Sequence, residues 1–321
     1  MNRKAVYASV AGYMAILLWS GSISFQRVLS EQLGPLATGA GAYMIGGLVG
    51  CAILLARPSA RRGLRGAAMK ETLICGIFFV VFQVCYVTSV GLATGRKQAL
   101  VVGVINYLWP AITLVLSIPI LKSRPRPLLF PVGVIVALAG AVAAAAFQGN
   151  LALGDFLGDL RANAWAYSIC LVNAVAWSIY SNLTRRWVNK VPGGVVFIYS
   201  LAGGILMGAM AVAAASAGLP RAVPHWSPGL LPFLLGQALG PTLGAFFLWE
   251  TAMRSGNVTL VTVAAYLTPV FSLAASCIVF QQAAGAGLWV GSALVVAGAV
   301  LCKLSVREPP GMPSEKRGDC P

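Results

Sequence analysis

Charge is scarce in this sequence, and negative charge is the scarcest. Only 10% of the 321 residues are charged, and 8 acidic residues stand against 23 basic ones. A soluble domain has about 25% charged residues, and so few polar groups could not cover the surface of a soluble protein of this size. This shortage excludes a conventional soluble enzyme. Because 58% of the residues are hydrophobic and stand in long blocks, a disordered chain is excluded as well, and the sequence indicates several membrane crossings.

Motifs for catalysis, metal binding and ATP hydrolysis are also missing. The 7 cysteines form no CxxC pair and lie mostly within apolar blocks, where they are interpreted as small buried hydrophobic residues. There is no HExxH sequence, no pair of carboxylates within the membrane, no nucleophile with a neighbouring base and no Walker A sequence. We therefore predict that the protein is not an enzyme, has no catalytic residue, metal site or cofactor, and does not use ATP directly.

The long apolar blocks predict ten membrane-spanning helices. A helix needs about 20 apolar residues to cross the hydrocarbon core, and its backbone must be satisfied internally there. The first block lacks a small-residue cleavage site and is interpreted as a span rather than a signal peptide. The predicted spans are 5–25, 36–56, 72–93, 99–121, 128–148, 163–184, 194–217, 230–253, 257–280 and 285–306. The predicted fold class is therefore an all-α integral membrane protein with membrane lipids as its surroundings.

The net charge of +15 could mark a nucleic-acid binder or a membrane topology. The basic residues stand in short runs between apolar blocks, which favours the positive-inside rule over a nucleic-acid partner. With a cytoplasmic N-terminus, 18 of the 23 basic residues fall on the cytoplasmic side and 5 on the other. We therefore predict a multi-pass protein of the cell inner (plasma) membrane, with both termini cytoplasmic and no nucleic-acid partner.

A single acidic residue, Glu250, stands inside a predicted span, near its cytoplasmic end. Arg254 follows four residues later, a helical spacing that suits an ion pair. A role in proton coupling is the alternative, because ionisable residues within a membrane are commonly functional. The spacing favours the interfacial ion pair.

The two halves of the sequence resemble each other at a nearly constant offset of 158 or 159 residues, which indicates a duplication. We predict one five-helix repeat in 1–150 and another in 151–321, the second ending in a short polar cytoplasmic tail. Because five is odd, the second repeat enters the membrane inverted, an arrangement typical of transporters. The matching residues are Trp19-Ser20 with Arg27 and Trp177-Ser178 with Arg185, Tyr107-Leu108-x-Pro110 and Tyr266-Leu267-x-Pro269, and Gly133 with Ala139-Gly140 and Gly291 with Ala297-Gly298.

Two five-helix halves, each with a Tyr-Leu-x-Pro sequence in its fourth helix, resemble the drug/metabolite transporter superfamily over residues 5–306. The strings Asn106-Tyr107-Leu108-Trp109-Pro110 and Asn257-Val258-Thr259 through Tyr266-Leu267-Thr268-Pro269-Val270 resemble more specifically its aromatic amino-acid exporters. The resemblance implies a transporter of small solutes. One departure concerns a Glu that many relatives carry after the fourth helix of each half, where this sequence has Lys122 and either Gln281 or Gln282.

Two prolines, Pro110 and Pro269, fall near the middle of predicted spans. Each is expected to kink its helix, because proline removes a backbone hydrogen bond and frees a carbonyl one turn earlier. Such a kink can serve packing alone. The polar and aromatic residues around both prolines instead favour a substrate pocket near the middle of the membrane. These neighbours are Asn106, Tyr107, Trp109, Tyr266 and Thr268.

Further candidate substrate-binding residues come from tryptophans and polar aromatic stretches. Trp19 and Trp177 either pack at the membrane interface or against lipid, or line the cavity, where they would favour a planar aromatic solute. Five weaker candidates could equally be core contacts: Phe82, Gln83, Tyr86, Asn173 and Tyr180.

The combined pattern predicts an exporter of aromatic amino acids and related small metabolites, which works by alternating access through a central cavity. Export of aliphatic amino acids, nucleosides or drugs is the first alternative. An integral-membrane enzyme and a purely structural scaffold are further ones. The sequence does not specify the number of subunits, and a monomer is compatible with it.

Overall fold

The computed structural model describes residues 3–126, 128–146, 153–218, 225–255, 261 and 264–307. Nearly all of these residues are helical. The α-helices are α1 (Arg3–Ser20), α2 (Ser22–Leu33), α3 (Pro35–Ala56), α4 (Pro58–Arg65), α5 (Met69–Leu92), α6 (Arg96–Asn106), α7 (Trp109–Leu121), α8 (Leu129–Ala146), α9 (Leu153–Ala162), α10 (Ala164–Arg186), α11 (Val195–Ser216), α12 (Leu231–Gln237), α13 (Ala245–Ser255), α14 (Thr268–Phe280) and α15 (Ala286–Ser305).

Three shorter elements complete the described structure. A 3₁₀ turn at Pro228–Leu230 precedes α12, and a π-helical segment at Ala238–Gly244 joins α12 to α13. The strands β1 (Arg124–Pro125) and β2 (Val306–Arg307) form a short antiparallel pair. This pair ties the end of α7 to the end of α15.

Seven helical stretches of the described residues are long and apolar enough to cross a membrane, and two shorter apolar helices accompany them. Helix α10 fills the place of the sixth predicted span but is more polar, with Asn173 and Asn182 among its residues. Part of the ninth predicted span lies outside the described residues. The seven stretches are Val6–Leu33, Pro35–Ala56, Met69–Leu92, Arg96–Leu121, Val195–Ser216, Pro228–Ala252 and Ala286–Ser305, and the two shorter helices are Leu129–Ala144 and Thr268–Phe280.

The end of the first helical stretch differs from the prediction. The first helical stretch continues to Leu33, beyond residue 25, and ends at Gly34, whose φ of 77° suits glycine. Pro35 then begins α3, a position that proline tolerates because the first helical N–H has no partner within the helix. Helix α9 lies between α8 and α10, in a part of the chain where no span is predicted.

Glycines allow the closest helix pairs to form. Helix α3 packs along α11, α8 along α15, α5 along α10 and α1 along α13. A Cβ atom added to Gly204 would lie 2.7 Å from the backbone nitrogen of Met44, and one added to Gly140 would lie 2.7 Å from the carbonyl oxygen of Gly291. Since backbone atoms cannot yield as a flexible side chain can, these crossings require glycine.

A charged cluster at the predicted outer end of the bundle explains why the first helix is longer than expected. Arg27 is 8% exposed and donates hydrogen bonds to the carbonyl oxygens of Val90 (3.1 Å) and Ala93 (2.7 Å), at the end of α5. It also donates to Glu31 (3.1 Å), which accepts two hydrogen bonds from Arg96 (3.1 and 2.8 Å). These bonds satisfy a charge that would otherwise end the span.

We expect Arg27→Met to destabilise the protein by about 2–3 kcal/mol, because two buried carbonyls and Glu31 lose a charged donor. A fall in the melting temperature of the purified protein in detergent checks this. The matched control is Arg62→Met on α4, where the arginine is exposed; equal falls for the two variants would contradict the structural role of Arg27.

The opposite end of the bundle holds Glu250, the acidic residue for which the sequence predicts an interfacial ion pair. Its two carboxylate oxygens accept hydrogen bonds from the backbone N–H of Gly194, each at 2.9 Å. Gly194 has a φ of 76° and precedes the first residue of α11, so the carboxylate lies at a helix N-terminus, where negative charge is favoured. The side chain of Arg254, its predicted partner, lies outside the described part of the chain.

Candidate functional site

Two helices are interrupted where the sequence predicts kinks. Helix α6 ends at Asn106 and α7 begins at Trp109, so that Tyr107 and Leu108 form a turn before Pro110. In the same way, Tyr266 and Leu267 form a turn before α14 and Pro269. Because proline has no N–H and its ring crowds the preceding turn, the helical hydrogen-bond ladder breaks at these places.

A third irregular segment, unpredicted from the sequence, lies between α12 and α13. The π-helical segment Ala238–Gly244 contains Pro241, and π-helical turns are frequent at functional sites. The carbonyl oxygen of Pro241 accepts a hydrogen bond from the indole Nε1 of Trp19 at 3.1 Å. This bond holds the Trp19 side chain against the π-helical segment.

The three irregular segments surround one cavity, and residues in or beside all three segments are among those that line it. Eight of the twelve predicted substrate-binding residues line it: Trp19, Phe82, Tyr86, Asn106, Tyr107, Trp109, Trp177 and Thr268. Seven further lining residues were not predicted: Ser22, Tyr43, Gln237, Pro241, Thr242, Phe246 and Ala265.

The four other predicted residues lie outside the cavity lining. Gln83, a residue of α5, is fully buried against Gly203 of α11. The Asn173 amide nitrogen donates to the Asn106 side-chain oxygen at 2.6 Å, so it positions a lining residue from behind. The Tyr180 ring packs behind the lining, on other aromatic rings. Tyr266 is buried in the turn before α14.

One wall of the cavity belongs to an aromatic cluster centred on Trp177. Its ring centroid lies between 4.8 and 6.3 Å from six other rings, at tilted or edge-on angles. Such arrangements are favourable contacts for aromatic side chains. The six rings are those of Trp19, Phe79, Phe82, Trp109, Tyr180 and Phe246.

The polar part of the lining contains no charged residue among the described ones. The Gln237 side-chain nitrogen donates to the Ser22 hydroxyl at 2.9 Å, and the Ser22 and Tyr86 hydroxyl oxygens lie 2.8 Å apart. On the other side, the Thr268 hydroxyl donates to the carbonyl oxygen of Ala265 at 2.6 Å. The cavity therefore offers flat aromatic faces together with neutral hydrogen-bonding groups.

One pattern in the sequence could have predicted Gln237 as a residue of the cavity lining. It stands four residues before Pro241, as Asn106 stands four residues before Pro110, so each amide lies one turn ahead of a proline within an apolar block. Tyr43 and Phe246 have no comparable local signal. They reach the cavity through the packing of α3 and α13.

A helical bundle with several membrane-spanning stretches and interrupted helices around a central cavity defines a multi-pass membrane transporter. Residues 7–145 and 164–303 match the EamA-like transporter family, and the chain belongs to this family. The predicted membership of the drug/metabolite transporter superfamily is thereby confirmed. Family and relatives indicate a transporter rather than an enzyme.

The alignments with similar proteins extend over nearly the whole chain. Proteins named aromatic amino acid exporter YddG are 30% identical in Salmonella typhimurium, 28% in Escherichia coli and 30% in Ancylobacter novellus, each alignment covering 94% of this chain and 98% of the relative. A protein of known crystal structure is 27% identical, with a TM-score of 0.65 over 92% of this chain and 96% of that chain.

Proposed function

We propose that the protein exports aromatic amino acids and related small metabolites across the inner (plasma) membrane. The observation that carries this proposal is the cavity itself, which has an aromatic cluster on one side and neutral polar groups on the other. Planar rings stack on planar rings, so the cavity favours aromatic over aliphatic solutes. The names of the similar proteins support the same substrate class.

The eight predicted residues that line the cavity are proposed to contact the solute. Trp19 and Trp177, whose ring centroids are 6.3 Å apart, then serve as cavity walls rather than as interface anchors. Tyr107, Trp109 and Thr268 stand at the two helix interruptions, where a small backbone movement changes the cavity shape. Asn173 supports the site through Asn106.

The chain is further proposed to consist of two inverted repeats of five helices, in 1–150 and 151–321. The family matches the chain in two separate segments. If the two repeats exchange places, α3 takes the place of α11, and α8 takes the place of α15. In the structure α3 packs against α11, and α8 packs against α15. The same exchange puts α5 in the place of α13 and α10 in the place of α1. The contact between α5 and α10 therefore corresponds to the contact between α13 and α1, which is likewise present.

Backbone conformation supports the same repeat. Among the described residues other than glycine, only Lys122 and Gln281 have a positive φ, 58° and 52°. They are 159 residues apart, the offset of Tyr107 and Tyr266, and each ends the second part of an interrupted helix. Gln281 rather than Gln282 is thus the counterpart of Lys122.

Alternating access is the proposed mechanism. The two repeats rock about the interrupted helices and expose the cavity to either side in turn. Among the residues that the structure describes, those that line the cavity carry no charge. Export down a concentration gradient requires neither ATP nor a coupling ion, so we propose uniport. Both termini lie in the cytoplasm, which the distribution of basic residues supports; the accessibility of a terminal tag in oriented vesicles tests this.

We expect proteoliposomes that contain the purified protein to release labelled phenylalanine faster than protein-free liposomes do. Unlabelled tryptophan and tyrosine should compete more strongly than leucine or uridine, because only the former present a planar ring to the aromatic cluster. Release no faster than from protein-free liposomes would contradict the proposal. Stronger competition by leucine or uridine would favour another small solute.

A further inference from the structure

The corner of the cavity formed by Ser22, Tyr86 and Gln237, here the polar corner, points to a specific contact with the solute. We infer that the side-chain carbonyl oxygen of Gln237 binds the α-ammonium group of the transported amino acid. The inference rests on the proposed function, because it requires the cavity to accept amino acids. It adds the residue that holds their positively charged end.

The side-chain oxygen of Gln237 has no hydrogen-bond partner among the described residues. Among the described residues, seven have a buried side-chain oxygen or nitrogen without a hydrogen-bond partner, and Gln237 is the one of these that lines the cavity. Its side chain is 1% exposed. A buried polar atom without a partner costs about 1–3 kcal/mol, and a donor that enters the cavity removes this cost.

A hydrogen bond orients the side-chain amide of Gln237. Its nitrogen donates to the Ser22 hydroxyl, which itself lies within hydrogen-bond distance of the Tyr86 hydroxyl. The nitrogen is thereby engaged, and the oxygen is left as the available end. A carbonyl oxygen only accepts hydrogen bonds, so it suits an ammonium group, which has three donors, and not a carboxylate.

The polar corner lies close to the aromatic cluster. The Phe82 ring lies 6.2 Å from that of Tyr86 in the polar corner and 4.8 Å from that of Trp177. An amino acid held by its ammonium group at Gln237 therefore has aromatic faces beside it for its own ring. These faces also attract the cationic group, while the absence of a fixed negative charge lets the solute leave.

The test compares three labelled solutes in proteoliposomes with wild-type protein and Gln237→Met. Phenylalanine has both charged groups, 2-phenylethylamine lacks the carboxylate, and 3-phenylpropionate lacks the ammonium group. We expect the substitution to weaken the apparent affinity for phenylalanine and 2-phenylethylamine about tenfold or more. The affinity for 3-phenylpropionate, measured by transport or by competition with phenylalanine, should not change.

Two further variants separate binding from folding. Gln26→Met makes the same substitution at another buried glutamine, whose amide nitrogen donates to a serine hydroxyl, Ser30, away from the cavity; it should leave the affinities unchanged. Gln237→Glu keeps an oxygen acceptor and should recover the binding of 2-phenylethylamine that Gln237→Met loses.

The outcomes distinguish the two proposals. Suppose that the wild-type protein transports phenylalanine, but that Gln237→Met lowers the apparent affinity for all three solutes equally or lowers that for 3-phenylpropionate most. The ammonium contact is then wrong, and the proposed function stands. Unchanged affinities in Gln237→Met overturn the contact in the same way. If the wild-type protein transports neither phenylalanine nor 2-phenylethylamine, the proposed function fails, and the ammonium contact fails with it.

Discussion

Trp177→Ala should reduce the initial rate of phenylalanine export about tenfold or more, because it removes the centre of the aromatic cluster. Six rings lie within 6.3 Å of this indole, measured between centroids, and each favourable aromatic pair contributes about 0.5–1.5 kcal/mol beyond its buried area. The solute loses a stacking face, and its remaining neighbours lose the ring that holds them in place. The measurement is efflux of labelled phenylalanine from proteoliposomes, per molecule of monodisperse protein.

The control for this experiment is another tryptophan. Trp289 on α15 is 39% exposed and is not among the residues that line the cavity, so Trp289→Ala should change the rate less than about twofold. Trp177→Phe keeps an aromatic face and should fall between the wild type and Trp177→Ala. Equal, small effects of the two alanine variants would contradict a role of the Trp177 ring in binding the solute.

The cavity residues next to Pro110 and Pro269 could be predicted because their signal is local. A proline in an apolar block indicates a break in the helix, and polar or aromatic residues beside it then indicate that the break lines a substrate pocket. Tyr43 and Phe246 could not be found in this way, since each stands in an ordinary apolar helix. Their contribution depends on which helices pack together, and that information lies in contacts between residues far apart in the chain.

Charge patterns do not show by themselves where a helix ends. The predicted first span ends at residue 25, before Arg27, but the structure places Arg27 within α2. The carbonyl groups at the end of α5 and the carboxylate of Glu31 satisfy its guanidinium group. Because those partners include residues more than sixty positions away, the length of the first helix could not be predicted from the local sequence.

Gly140→Val should have the largest effect on stability of the changes considered. A Cβ atom at this position would lie 2.7 Å from both the carbonyl oxygen of Gly291 and the backbone nitrogen of Val295. Backbone atoms of a helix cannot move aside singly, so α8 and α15 must separate along their length. We expect a loss of about 3 kcal/mol or more, seen as a lower melting temperature and a smaller monodisperse fraction in detergent.

Gly208→Ala on α11 is the control for adding a methyl group to a glycine in an apolar helix. Its Cβ atom would meet only the Cβ of Ala40, at 3.6 Å, which is ordinary contact. Alanine favours the helix by about 1 kcal/mol over glycine. This variant should therefore keep or slightly raise the melting temperature, and a fall like that of Gly140→Val would show that any added methyl group is harmful.

A third variant extends the experiment to the proposed inverted repeat. Exchange of the two halves maps Gly140 onto Gly298 and Gly291 onto Gly133. The contact of Gly140 with Gly291 thus becomes the contact of Gly298 with Gly133, and a Cβ atom on Gly298 would indeed meet the carbonyl oxygen of Gly133 at 2.5 Å. Gly298→Val should therefore destabilise the protein about as much as Gly140→Val does. A large fall for one variant and none for the other would contradict the symmetric crossing that the repeat requires.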